Sequence, residues 1–190
     1  MSALLRILSI LLLKAGPQHL PYSLSLFATL TLLYLASGVL VLTTSVSIGQ
    51  AAANMVLDIA VLYSFSYFCL SLLDYLVYME RKKNGEQLKY MEQLKYRPRF
   101  VQMVSALAGI GIAYHLLAWP LFVQIHNMQP EEQGTKIAAL LMLLLVSWQV
   151  LVFAHVFRYA MQMSMMRALA LSFGYLFLSM AAAEVILPGS

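Results

Sequence analysis

The sequence predicts an all-α membrane protein, with five transmembrane helices preceded by an interfacial amphipathic helix. Three observations predict it. Of 190 residues, 62% are hydrophobic and 11% charged, far from the balance of a soluble domain. The apolar residues fall into runs long enough to cross a hydrocarbon core of about 30 Å. Eleven of the twelve Lys and Arg residues lie in or beside alternate gaps between those runs, the pattern left by basic loops that resist translocation.

The elements follow in order along a single membrane domain, residues 1–190. Within residues 1–16, Ser2, Arg6 and Ser9 recur on one helical face, while Leu4, Leu5, Ile7, Leu8, Leu11 and Leu12 fill the rest. Twelve residues reach about 18 Å, too short to span, so this piece is predicted to lie in the interface. It lacks a small-residue cleavage pattern and runs into Lys14 and Pro17, so it is read as retained. Gly16-Pro17 and Pro21 then redirect the chain. The first span covers residues 22–43. The second, residues 54–78, ends in Glu80, Arg81, Lys82 and Lys83, and Asn84-Gly85 supplies a helix stop. Glu86-Gln87-Leu88-Lys89-Tyr90 recurs as Glu92-Gln93-Leu94-Lys95-Tyr96, with the three-residue steps of a short surface helix.

Pro98 suits the first turn of the third span, residues 100–123, where its missing N–H has no intrahelical role. Ser105, Gly109 and Ala113, four apart, allow close helix approach, and Pro120 is predicted to bend or end this helix. The loop from His126 to Lys136 carries Glu131 and Glu132 and is read as external. Spans four and five cover residues 137–157 and 168–187, with Arg158 and Arg167 flanking the turn between them. The amino end is then cytoplasmic, the carboxyl end external, and every basic residue except Lys136 cytoplasmic. A sixth span formed by the first segment is the competing topology; Arg6, Lys14 and its shortness oppose it.

Net charge is +4, and residues 80–99 alone hold seven basic and three acidic residues. Such local basicity argues against nucleic acid and for anionic headgroups or an acidic partner, at about 1 kcal/mol per basic residue near the surface. Arg81, Lys82, Lys83, Lys89, Lys95, Arg97 and Arg99 are the predicted partner- or lipid-binding surface of this cytoplasmic loop. Met161, Met163, Met165 and Met166 offer a further adaptable partner surface.

Inside the spans, ionisable groups are costly and mark function by default. Asp58, His115 and Glu184 fall in the outer halves of spans two, three and five, where convergence would make a proton relay or cation site. Asp74, His155, Arg158 and Arg167 gather at the inner edge; Asp74 is expected to pair with Arg158 or His155, tying span two to span four. Tyr63, Tyr67, Ser71, Asp74 and Tyr78 form a polar stripe, predicted to pack against Gln149 or Ser147. His115 and His155 lie about 20 Å apart in depth, too far to share a haem. No histidine pair has zinc-protease spacing, Gly109-Ile110-Gly111 lacks a phosphate loop's lysine, and no serine is matched to a base. Cys69 is the single cysteine, expected in the core or facing lipid, and no intrachain disulfide forms. Neither catalytic residues, cofactor nor metal is expected.

Five spans, a cytoplasmic amino end and Gly16-Pro17 after Leu13-Lys14-Ala15 resemble the layout of Yip1-like membrane proteins, whose Asp-Leu-Tyr-Gly-Pro stretch ends in the same pair. The resemblance implies a non-enzymatic protein acting through partners in membrane organisation or trafficking. The expected function is accordingly a scaffold for a membrane complex, docking through the basic loop to lipid, another membrane protein or a second copy. The alternative is a small transporter or proton-coupled subunit using the intramembrane acids and histidine. The compact loops point to a bacterial inner membrane.

Overall fold

Helix-end chemistry divides the chain as the sequence pattern implies. The computed structural model describes residues 3–83, 96–127 and 133–187. They form α1 (Ala3–Leu11), a 3₁₀ turn (Pro17–His19), α2 (Leu24–Leu42), α3 (Ile48–Lys83), α4 (Tyr96–Asn127), α5 (Gln133–Met161) and α6 (Met165–Ile186). α2 to α6 are each long and apolar enough to cross a bilayer, so the chain is an integral membrane protein. The duplicated segment, apart from Tyr96, and Glu131-Glu132 lie outside the described residues.

Ser23 caps α2 by accepting the N–H of Leu26 at 3.2 Å. Ser47 and Gln50 form a capping box at the start of α3: Gln50 Oε1 accepts the N–H of Ser47 at 3.2 Å, and Ser47 Oγ accepts that of Gln50 at 3.4 Å, so two end donors are satisfied reciprocally. α1 and α5 end differently. The N–H of Lys14 reaches the carbonyl of Ser9, and that of Met163 reaches Arg158, each across a left-handed residue, Leu13 (φ 59°) and Gln162 (φ 53°). These are Schellman-type stops in which a bulkier residue stands where glycine is usual. Pro98 sits in the first turn of α4 as expected. Pro120 does not end that helix, which continues to Asn127; the ring removes one N–H, and transmembrane helices accommodate such a loss through neighbouring groups.

In cross-section the spans form a ring in the order α2, α4, α5, α6, α3, closing back on α2, with α3 also touching α4. The ring has two chemically distinct ends. One carries the α3–α4 and α5–α6 junctions and is the basic end; the other, with the α2–α3 turn, is the far end. α1 joins the bundle at the basic end, against α4 and α5. Ile10 is fully buried and Leu11 nearly so, while Leu4, Leu5, Leu8 and Leu12 remain exposed. Gly109 admits this helix: a Cβ there would stand 3.1 Å from Ile7 Cδ1. The small-residue stripe of α4 thus receives α1 at Gly109. The main core joins Ile10 to Met103, Leu107 and Ile110 of α4, Val152, Phe153 and Phe157 of α5, and Leu62 and Leu70 of α3.

Cys69 is a free, buried core residue. Ser66, fully buried on α3, has a hydroxyl bonded to no group among the described residues. An unsatisfied buried hydroxyl destabilises. Ser66→Ala is therefore expected to stabilise the protein by about 1 kcal/mol, read as thermal unfolding in detergent; a loss of similar size would show that the hydroxyl has a partner.

Candidate functional site

A transmembrane acid without a facing cation must find hydrogen-bond donors, and Asp58 of α3 finds three. Tyr34 of α2 donates to Oδ2 at 2.5 Å. Tyr175 and Ser179 of α6 donate to Oδ1 at 2.8 and 2.7 Å. Tyr175 and Ser179 are four apart, so one helical face presents both hydroxyls. The three contributing helices bring their groups to one level: Asp58 lies about 15 Å from the start of α3, and Tyr34 and Tyr175 about 12 and 16 Å from the far ends of α2 and α6, by rise per residue. An ionised carboxylate has about four lone-pair positions. Three are taken, which leaves one acceptor position on Oδ2.

Beside Asp58, Tyr34 stacks on His115 of α4 with ring centroids 4.9 Å apart and planes at 27°. His115 Nδ1 is hydrogen-bonded to Ser37 Oγ at 2.9 Å, which fixes the ring against α2. Gly111, one turn earlier on α4, lies where a side chain would collide with the Tyr34 ring, so glycine is what lets the ring reach between the two helices. Asp58, its three donors and His115 border a cleft of 330 Å³ to which every span contributes: Tyr34 from α2, Asn54 and Asp58 from α3, Tyr114 and His115 from α4, Gln149 from α5, and Tyr175 and Ser179 from α6. Among the described residues its lining contains no Lys or Arg.

Of the three groups predicted to converge, the structure brings Asp58 and His115 into this cleft and leaves Glu184 outside it. Glu184 is exposed. Nine residues, about two and a half turns, separate it from Tyr175, which places it on the opposite face of α6 and nearer the helix end. The donors Tyr34, Tyr175 and Ser179 did not feature in the sequence reading. The signal for them was a lone acid in an apolar run, together with hydroxyls at helical spacing on another span.

At the basic end the expected ion pairs do not form. His155 Nε2 is hydrogen-bonded to the Ala15 carbonyl at 3.1 Å, and Arg158 lies 5.6 Å from the ring centre of its neighbour Tyr159. The cation whose charge acts on Asp74 is Arg99, on the first turn of α4, because α4 packs against α3 and α6 stands between α3 and α5. The α3 stripe likewise does not face α5. Tyr63 bonds Thr31 of α2 and meets Phe27 and Phe100, Tyr67 is exposed near Phe100, and Ser147 bonds its own helix at Leu143. Arg167 is exposed, as are Lys82, Lys83 and Arg99. Lys89 and Lys95 lie outside the described residues, as do the side chains of Arg81 and Arg97. Met161 is buried and Met163 and Met165 pack against the core, so of the four turn methionines Met166 alone is exposed. His115 and His155 stand at opposite ends, and among the described residues no group of three or more His, Cys, Asp and Glu is placed to hold a metal ion.

No family model matches the chain, and neither a curated protein nor a solved structure matches it; the site is therefore read from its own geometry. Hydrogen bonds to charged groups contribute about 1.5–3 kcal/mol each. Tyr175→Phe is expected to cost about that much stability in the parent protein and close to nothing when combined with Asp58→Ala. Equal costs in the two backgrounds, measured by chemical unfolding in micelles, would show that the hydroxyl does not act on the carboxylate.

Proposed function

We propose that this integral membrane protein is cation-coupled: Asp58 takes up and releases a proton or small monovalent cation in the far half of the membrane, and the cleft beside it admits a small polar solute. The observation that carries this reading is a carboxylate held by three hydroxyl donors, open to a cleft lined by all five spans, with no Lys or Arg facing it. A structural acid in a membrane is ordinarily paired with a protein cation. Neutral hydroxyls stabilise the charge without cancelling it, so the balancing charge comes from outside the chain. Asn54, Gln149 and His115 supply the directional polar groups, and Tyr34, Tyr114 and Tyr175 the apolar walls, that a solute site combines. In this reading the protein is a transporter or a proton-coupled subunit and not an enzyme.

The purified protein in liposomes, challenged with a step in pH or in sodium concentration, is expected to give a transient charge movement on a supported membrane. Asp58→Asn is expected to abolish it, and Glu184→Gln to leave it intact. A full signal from Asp58→Asn protein at equal incorporation would reject the proposal.

A second reading rests on the other end of the molecule, where Lys14, Lys82, Lys83, Arg99, Arg158 and Arg167 are all exposed. It makes that end a docking surface through which the chain scaffolds a membrane complex, in line with the resemblance to Yip1-like proteins. In this reading the charges support a cytoplasmic position for that end, with the carboxyl end external, and the compact loops support a bacterial inner membrane. Gln at Lys82, Lys83 and Arg99 together is then expected to release a stoichiometric partner from the protein purified in mild detergent while insertion is unchanged; retention of the partner would exclude this surface.

A further inference from the structure

The amino-terminal segment builds a second polar site, unrelated to Asp58. Arg6 and Ser9, three apart on α1, share a face. The left-handed stop at Leu13 turns the chain back, so that Lys14 through His19 run beside that face. Arg6 closes the hairpin by donating Nη1 to the His19 carbonyl at 2.5 Å. The open cavity between them measures 490 Å³ and is lined by Arg6, Ser9, Lys14, Ala15, Gln18 and His19. Among the described residues it is lined by two cationic side chains and no carboxylate. The Arg6 guanidinium has five N–H donors in a planar fork, and the carbonyl takes one of its nitrogens.

The surroundings identify the kind of ligand. Leu5 and Leu12 follow Ser9 around the α1 surface at helical angles and, with Leu8, are 45–64% exposed, on a helix whose opposite face is sealed into the bundle. A cationic cavity with an exposed apolar stripe on its rim matches an amphiphile with an anionic head, and Arg6 reaching back to His19 has the snorkelling geometry of a cation seeking the headgroup layer.

We propose that this cavity holds the phosphate of an anionic phospholipid, with its acyl chains laid along Leu12, Leu8 and Leu5. A bidentate Arg–phosphate contact gives orientation and Lys14 adds charge. The lipid would clamp α1 to the rim of the bundle, and this inference stands whether or not Asp58 binds a cation.

The test titrates the full chain in dodecyl maltoside with dioleoylphosphatidylglycerol or dioleoylphosphatidylcholine and counts bound lipid by native mass spectrometry. One phosphatidylglycerol is expected to bind in preference to phosphatidylcholine. Lys14→Gln, which removes an exposed amine and no internal contact, is expected to weaken phosphatidylglycerol by about fivefold, the value of one basic residue near a membrane surface. Arg6→Gln should weaken it further, and Lys136→Gln, at an exposed residue of the far end, should leave it unchanged. Excess inorganic phosphate should not displace the lipid. Wild-type binding by Lys14→Gln, an equal loss in Lys136→Gln, or full displacement by phosphate would each overturn the proposal, the last by showing a site for the free anion.

Discussion

An uncompensated carboxylate in a hydrocarbon layer constrains everything around it. Asp58 draws hydroxyls from α2 and α6, and this fixes the angular setting of two helices about the third. Tyr34 reaches its acceptor because Gly111 gives way to its ring, and the ring in turn carries His115 and, through it, Ser37. One ionisable group thus sets the register of four of the five spans in the far half. The cost of placing such a group in a membrane is several kcal/mol unless it is satisfied, and here neutral donors meet that cost and leave the charge itself unbalanced. This is the physical reason for reading the site as one that exchanges a cation with its surroundings.

The two ends of the ring divide the work. The far half is polar by hydrogen bonding and carries an acid; the basic half is mainly apolar inside, filled by Phe157, Met103 and Leu107, with Ser105 and Ser172 among its few buried polar side chains. α1 reinforces that half by burying Ile10 against α4 and α5, and His155 bonds the chain just beyond it at Ala15. The basic half is therefore the closed, packed foundation on which the open cleft is built. In the proposed function, a cation arriving from the far side meets Asp58 before it meets the packed core.

Much of the fold was legible because its causes are local. Apolar runs and alternating basic gaps predicted five spans, and Pro98 predicted a helix start by chemistry that acts within one turn; Ser23 and Ser47-Gln50 act in the same way but were not read as starts, and α3 begins at Ile48, ahead of the expected residue 54. What was not legible depended on which helix neighbours which. The partner expected for Asp74 lay on α5, yet α6 intervenes, and the charge that bears on Asp74 is that of Arg99 on α4. The facing of the α3 stripe failed for the same reason. Depth was readable from rise per residue, so Asp58 and His115 fell at one level; the angle around α6 was readable too, and it sets Glu184 opposite Tyr175. Tyr34 was the hardest to foresee, since its role depends on a glycine of a different helix, and the reach of α1 into the bundle depended on Gly109 in the same way.

The central claim is that Asp58 carries an exchangeable cation, and infrared difference spectroscopy on the lipid-reconstituted protein tests it most directly. A step in pH or in sodium concentration is expected to change a carboxyl band that shifts on isotopic labelling of aspartate, is perturbed in Tyr175→Phe and is missing in Asp58→Asn. A difference spectrum with no Asp58 contribution under either step would contradict the account and leave the carboxylate a purely structural acceptor.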